Sequence, residues 1–173
     1  MNFKQQLSSY ILGNLAISDL PKIGLLGLES GLDSESLVIL AGLSEKDNQF
    51  EIDSYFKKAL GELDIQMPDE KTAAINIIEY YADLIKNKQI DAYLGVEKIV
   101  QEVLNKTNVF GISGSYVYDN IGFEKIYSLY DTVCELESAE KPWDIKKTNQ
   151  ELITDCKKEI IIEIEKWSNS MKE

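Results

Sequence analysis

Apolar residues recur every three or four positions along most of the chain, which is the spacing of one face of an α-helix. No segment keeps the strict alternation of apolar and polar residues that is typical of a half-buried strand. Polar or glycine-containing connections separate the helical stretches. The pattern predicts an all-α protein of seven to eight helices, arranged as a bundle or an irregular helical array in a single domain over residues 1–173.

Residues that favour helix ends divide the chain into these segments. Asp33 or Ser34 precedes the third predicted helix and Asp91 precedes the sixth, and their side-chain oxygens are suited to cap free backbone N–H groups. The fourth helix has an apolar stripe that is predicted to begin at Phe50. The last helix has the clearest stripe, which consists of Leu152, Ile153, Cys156, Ile160, Ile164 and Trp167.

The helical pattern breaks between Asn105 and Gly122, in the longest irregular stretch of the chain. This stretch includes two tyrosines, Tyr116 and Tyr118, and it marks a candidate sub-boundary near residues 105–122. Long loops on a rigid scaffold often carry function. A plain connector whose tyrosines pack on the body of the protein is the equally compatible alternative.

The charge of the chain limits the partners that it can attract. Thirty Asp and Glu residues outnumber 18 basic residues, and the net charge is −12 at pH 7. Nucleic acid is excluded as a partner because its phosphates would be repelled. No apolar run approaches the roughly 20 residues that span a bilayer, so no membrane is expected either. The expected partner is a basic protein, although such acidity is also a common means of keeping a protein soluble.

The residues needed for catalysis are scarce. All the basic side chains are lysines, so histidine, the commonest general base and metal ligand, is absent. Asp155, Glu159 and Glu163 recur at helical spacing, but carboxylate metal sites in helical bundles usually include histidine. Cys134 and Cys156 lie at apolar positions and are interpreted as reduced core thiols of a cytoplasmic protein, with an inter-helix disulfide as the alternative. The sequence predicts no enzymatic activity, no metal and no cofactor.

The Asp33-Ser34 pair opens a predicted helix and resembles the modification motif of acyl carrier proteins. In that family the serine receives a phosphopantetheine arm, and residues 65–70 resemble a segment that enters a later helix of the family. The resemblance implies a modification at Ser34. Glu35 departs from the family, which has an apolar residue there, and two predicted helices occupy an interval where the family has one. An ordinary helix cap predicts the same Asp-Ser sequence.

Three further segments resemble a recurring element of small, uncharacterised bacterial proteins that are acidic and all-helical. Residues 31–34 read Gly-Leu-Asp-Ser, residues 40–43 read Leu-Ala-Gly-Leu, and residues 59–63 read Ala-Leu-Gly-Glu-Leu. The likeness extends to residues 90–96. It implies a shared fold and brings no established activity.

Residues 116–120, Tyr-Val-Tyr-Asp-Asn, resemble the tyrosine-and-acid loop of colicin nuclease immunity proteins. Residues 164–167, Ile-Glu-Lys-Trp, are similar to part of the last helix of that family. Immunity proteins are small and acidic, and they block the basic active-site cleft of a toxin. The resemblance implies a non-enzymatic inhibitor that neutralises a basic bacterial toxin by occlusion. The predicted contact residues are Tyr116, Tyr118, Asp119, Glu135, Glu137 and Glu140.

A structural or assembly module is the main alternative to an inhibitor. Exposed helix faces would then contact another protein or further copies of this chain. Self-association without a basic partner would favour the module, whereas a tight one-to-one complex would favour the inhibitor. The sequence leaves the oligomeric state open.

Overall fold

The computed structural model of the protein describes residues 1–110 and 118–171. Within these ranges the regular structure consists of eight α-helices with two 3-10 turns and one π-helical turn, and it contains no strand. The predicted all-α class is therefore confirmed. Among the described helices, none combines the length and the apolar character that crossing a membrane requires. The helices are α1 (Phe3–Ile11), α2 (Leu20–Glu29), α3 (Glu35–Gly42), α4 (Gln49–Glu62), α5 (Glu70–Lys86), α6 (Ala92–Ile99), α7 (Glu124–Ser138) and α8 (Asn149–Ser170).

Residue contacts divide the chain into two compact units, Met1–Ile77 and Ile78–Glu173. The division falls inside α5, so this helix contributes residues to both units. Compactness does not measure whether the units unfold together. The single domain and the sub-boundary near residues 105–122 therefore stay predictions.

The first unit has a core of leucine, isoleucine and phenylalanine side chains from α1 to α4. These positions recur every three or four residues, so each helix turns one apolar face inward. A polar pair accompanies the core: the amide of Asn76 donates to the Ser8 hydroxyl at 2.9 Å, and both residues are buried. Buried members of the core include Leu7, Leu20, Leu37, Leu40, Ile52 and Phe56.

Phe50 does not belong to the apolar stripe of α4, and the prediction that the stripe begins there is wrong. Its side chain is 88% exposed, whereas Ile52 and Phe56 are buried. Phe50 and Ile52 are two positions apart, and successive residues turn by about 100° around a helix, so the two side chains lie on opposite sides. The inward stripe therefore begins at Ile52.

The second unit has a core formed by the end of α5 together with α6, α7 and α8. At Gly95, a Cβ atom would lie 2.5 Å from Cγ1 of Ile85. Only glycine allows α6 to approach Ile85 this closely, which explains a residue that otherwise weakens a helix. Side chains with almost no exposure in this core include Ile85, Val96, Ile99, Ile126, Val133, Ile160 and Ile164.

Trp167 holds the chain segment before α7 against α8. Its indole Nε1–H donates to the backbone carbonyl of Ile121 at 2.7 Å, and its ring meets Phe123 edge-on at 5.7 Å. Gly122, which lies between Ile121 and Phe123, has a φ of +65°, a conformation that favours glycine. A buried tryptophan with its N–H satisfied fixes the entry into α7.

The two cysteines are free, and each is half-buried. Of the two predicted core thiols, Cys156 packs against the apolar cluster of Val133, Leu136 and Ile153. Burial raises the pKa of the Cys156 thiol. The Cys134 Sγ atom lies 3.5 Å from the hydroxyl of Tyr93, so this cysteine sits beside a polar group.

Candidate functional site

Four tyrosines of the second unit form a continuous row, which we call the tyrosine row: Tyr118, Tyr127, Tyr130 and Tyr93. The ring of Tyr118 meets Tyr127 edge-on, with 5.0 Å between centroids. Tyr127 lies 6.2 Å from Tyr130, and Tyr130 stacks on Tyr93 at 5.2 Å with 21° between the ring planes. Edge-on and stacked contacts at these distances are favourable for aromatic pairs. The row therefore forms one aromatic surface.

Each tyrosine reaches the row through local structure. Tyr127 and Tyr130 are three residues apart in α7, which places them on one side of the helix. Tyr93 lies in the first turn of α6, where the Asp91 side chain accepts from its backbone N–H at 3.0 Å. Tyr118 has a left-handed φ of +65°, and its carbonyl accepts from the N–H of Phe123 at 3.1 Å. The turn before α7 thus brings Tyr118 back onto Tyr127.

All four tyrosines of the row are half-buried. Burial, together with Cys134, raises the pKa of Tyr130 to about 12. The hydrogen bond to Cys134 is the main cause that raises the pKa of Tyr93, and burial raises that of Tyr118. The raised pKa values favour the neutral form of Tyr93, Tyr118 and Tyr130. Half-buried tyrosines of this kind supply rigid contact area at little entropic cost.

Two carboxylates, Glu97 and Glu137, lie near the row. The charge of Glu137 contributes to the raised pKa of Tyr93, and the charge of Glu97 contributes to that of Tyr130. Asp131 and Glu135 are exposed on α7, and Glu140 is exposed just after it. In residues 1–110 and 118–171, no lysine forms an ion pair with the four acids Asp131, Glu135, Glu137 and Glu140. Their charge is available to a partner.

The row already holds one cation of the protein itself. The ammonium of Lys157, on α8, lies 5.4 Å from the centroid of the Tyr93 ring. The same ammonium is 3.4 Å from a carboxylate oxygen of Asp91. This arrangement is a cation–π contact, which shows that a tyrosine of the row accepts a positively charged group on its face.

The structure places four of the six predicted contact residues. Tyr118 belongs to the tyrosine row, whereas Glu135, Glu137 and Glu140 are exposed acids at or near the end of α7. Tyr116 lies outside the described residues, as does the side chain of Asp119. Tyr93, Tyr127 and Tyr130 were not among the predicted contact residues. Tyr127 and Tyr130 fit the apolar stripe of a helix, and Tyr93 lies in a different helix, α6. The spacing of three residues between Tyr127 and Tyr130 was the sequence signal that places both rings on one side of α7.

The acids of α8 have a different role from those of α7. The Lys125 ammonium lies 2.9 Å from Glu159 and 2.7 Å from Glu163, and Lys166 lies 2.8 Å from Glu163. These lysines lower the pKa of the Glu163 carboxyl. Across the described ranges, no three His, Cys, Asp or Glu side chains are grouped as a metal ion would require. Asp155, Glu159 and Glu163 of α8 are thus paired with lysines of the same unit.

Ser34, the candidate modification site, caps α3. Its hydroxyl accepts from the N–H of Leu37 at 3.2 Å. Glu62 of α4 completes the cap, because its carboxylate accepts from the N–H of Ser36 at 2.9 Å and from the Ser36 hydroxyl at 2.5 Å. These bonds with Ser36 lower the pKa of the Glu62 carboxyl. The serine therefore contributes to helix stability through the capping role that its position predicts.

No family model matches the chain, and no curated protein or solved structure matches it. The likeness to immunity proteins, to small acidic helical bacterial proteins and to acyl carrier proteins remains a prediction from the sequence. The proposed function therefore rests on the tyrosine row and on the exposed acids of α7.

Proposed function

We propose that this chain is a non-enzymatic binding protein for a basic protein, and that it acts as an immunity protein that neutralises a bacterial toxin by occlusion. The partner would dock on the tyrosine row and on the acids that border it. No chemistry by this chain is needed, because a bound protein that covers a catalytic cleft excludes the substrate.

The observation that carries the proposal is the combination of half-buried tyrosines with acids that lack a cation. Tyrosine is enriched at interface positions that dominate binding energy, since its ring is apolar and its hydroxyl can form a hydrogen bond. Unpaired acids produce a negative potential that speeds the approach of a basic partner. The contact of Lys157 with Tyr93 also supports a partner that places lysine or arginine over the row.

Binding would proceed in two stages. Glu135, Glu137 and Glu140 would accelerate the encounter through long-range attraction, which sets the association rate. Contact with Tyr118, Tyr127 and the other rings of the row would then set the dissociation rate, because short-range packing dominates the lifetime of a complex.

A tagged pull-down from the source cells, with mass spectrometry of the captured proteins, tests the proposal. The wild-type chain is compared with the triple variant Glu135→Lys, Glu137→Lys, Glu140→Lys. The matched control reverses three exposed acids elsewhere, namely Glu29, Glu51 and Glu79. We expect a basic protein in one-to-one amount with wild type and control but not with the first variant. The toxic activity of the captured basic protein should disappear in the complex. Equal capture by all three chains would contradict the proposed surface.

The electrostatic part makes a separate prediction. Affinity for the basic partner should fall as salt rises, because screening shortens the reach of exposed charges to about 8 Å at physiological ionic strength. Reversing the charge at Asp119 should slow association as well. Stopped-flow association rates at several salt concentrations provide the measurement. Rates that do not change with ionic strength would refute steering by these acids.

A second candidate function is an assembly module, and exposed apolar side chains of the first unit favour it. Phe50 is 88% exposed, and Val38 and Leu25 are about half exposed. Such side chains are common at contacts between proteins. Sedimentation of the wild-type chain and of Phe50→Ser tests this alternative: a larger species that the substitution abolishes would support it, and monomers in both cases would contradict it.

A further inference from the structure

A groove of about 440 Å³ lies in the first unit, and its lining includes no residue of the tyrosine row. It is bounded by the first turns of α1, by the connection between α2 and α3, and by the connection between α4 and α5. Its volume falls within the range of small-molecule sites, roughly 300–1,000 Å³. The groove is therefore large enough to hold a small organic molecule.

The walls of the groove are apolar. Phe3 and Leu7 of α1 are buried, and Leu32, Ile65 and Pro68 are half-buried. These five side chains present hydrocarbon along the length of the groove. An aliphatic chain placed there would lose contact with water, which is favourable because burial of apolar surface drives association.

One charged residue, Lys4, borders the groove, and the other polar residues on its lining are Asn2, Ser30 and Gln66. In the described part of the chain, Lys4 has no ion-pair partner. It also lies in the first turn of α1, where the helix dipole disfavours a cation, and α1 itself contains no acid. The positive charge at the edge of the groove is thus uncompensated.

Four other grooves of the protein are lined by acidic as well as basic residues. Each lining includes at least one acid: Glu45 in the first, Asp91 in the second, Glu151 and Asp155 in the third, and Asp19 in the fourth. On a chain with a net charge of −12, a groove whose only charged residue among those that the structure describes is a cation is suited to an anionic group.

We propose that this groove binds an aliphatic carboxylate, with the hydrocarbon chain along Phe3, Leu7 and Leu32 and the carboxylate at the Lys4 ammonium. Gln66 also lines the groove, and its side-chain amide is a second group that can donate a hydrogen bond. The apolar walls give affinity for the chain, and the lysine selects the charged head group. This ligand site is independent of the tyrosine row and of any protein partner.

Titration of isotope-labelled protein with octanoate, followed by amide NMR shifts, tests the proposal. We expect saturable shifts around residues 3–7, 30–32 and 65–68, and at least fivefold weaker binding for Lys4→Gln. The matched control is Lys46→Gln, which removes an exposed lysine of the same unit and should leave octanoate binding unchanged. Octanol should bind more weakly than octanoate, and its affinity should not depend on Lys4.

A substitution that fills the groove provides a second test. Ile65→Trp places a larger side chain on a half-buried wall position, and it should abolish the shifts caused by octanoate while preserving the rest of the spectrum. The proposal would be overturned by the absence of saturable shifts in the wild type, by shifts centred elsewhere, or by equal octanoate affinity of Lys4→Gln and wild type. Equal binding of octanol and octanoate would also refute the carboxylate assignment.

Discussion

The acids of α7 and α8 repeat at similar spacings, yet they are used differently. Glu159 and Glu163 of α8 pair with Lys125, which α7 supplies, and Asp155 lies 2.6 Å from Lys147. Asp131, Glu135 and Glu137 of α7 form no ion pair with a lysine among the described residues. Periodic acids therefore do not by themselves indicate a binding surface or a structural network. The positions of the lysines decide between these two roles.

The difference has a simple cause in the chain. With 18 basic residues for 30 acids, only some carboxylates can be paired. The lysines near α8 come from three places: Lys125 from α7, Lys147 from the connection before α8, and Lys158 and Lys166 from α8 itself. Most acids without an ion pair among the described residues therefore lie outside α8. One of them, Glu137, lies near the tyrosine row.

The largest effect is expected from the tyrosines of α7. Tyr127→Ala and Tyr130→Ala should each weaken the complex with the basic partner by about 2 kcal/mol, the usual threshold for a dominant interface residue. The control is Tyr55→Ala in the first unit, since Tyr55 is also half-buried and has Lys58 over its ring at 5.3 Å. Calorimetric affinities measure the difference. Similar losses for all three substitutions would break the distinction between the row and other tyrosines.

An intermediate effect is expected on stability. Glu163→Gln should lower the free energy of unfolding by about 1 kcal/mol, because the Glu163 side chain is only 12% exposed and accepts from both Lys125 and Lys166. Glu135→Gln should change it by less than about 0.5 kcal/mol, as for an ordinary surface position. Urea denaturation monitored by circular dichroism measures both values.

The same substitution has a pH signature. The pKa of Glu163 is lowered in the folded state by Lys125 and Lys166, so its stabilising contribution is present above pH 4.5, the ordinary value, and is lost as pH falls through the folded pKa. Glu163→Gln should therefore reduce the loss of stability in acid. Identical acid profiles for the variant and the wild type would show that the pairing adds nothing to stability.

The smallest effect at neutral pH concerns Tyr130 of the tyrosine row, which ionises only at high pH. The pKa of Tyr130 is raised from 10.0 to about 12, so the neutral ring stabilises the fold below pH 10, and this contribution is lost as pH rises through 12. Absorbance near 295 nm should show one late-ionising tyrosine fewer in Tyr130→Phe than in the wild type. The row and the acids of α8 should thus lose their contributions at opposite ends of the pH scale.

Much of the helical architecture follows from the sequence, and the candidate site follows only in part. The stripe of α8 and the Ser34 cap were predictable because they depend on neighbours three or four residues away. Ion pairs such as Lys125–Glu163 join different helices, so local spacing does not specify them. The tyrosines of α7 fit the apolar periodicity of a helix, and periodicity does not separate a half-buried ring from a fully buried one.

Two other features, the exposure of Phe50 and the groove beside Lys4, were not predicted from local sequence patterns. Phe50 is apolar and lies near the helix start, but its angular position relative to Ile52 directs it to solvent. The groove beside Lys4 is assembled from residues 2–7, 30–32 and 65–68, which are distant in the sequence. Patterns within one helix do not reveal a cavity formed by three separate segments.

The placement of the two tryptophans determines what fluorescence can report. Trp167 is 3% exposed and anchored to Ile121, whereas Trp143, in the connection between α7 and α8, is 53% exposed. Both belong to the second compact unit, and the first unit has none. Indole emission therefore follows the melting of the second unit alone, with Trp167 as its blue-shifted component. A helix signal that melts apart from this emission would reveal two cooperative units in one chain.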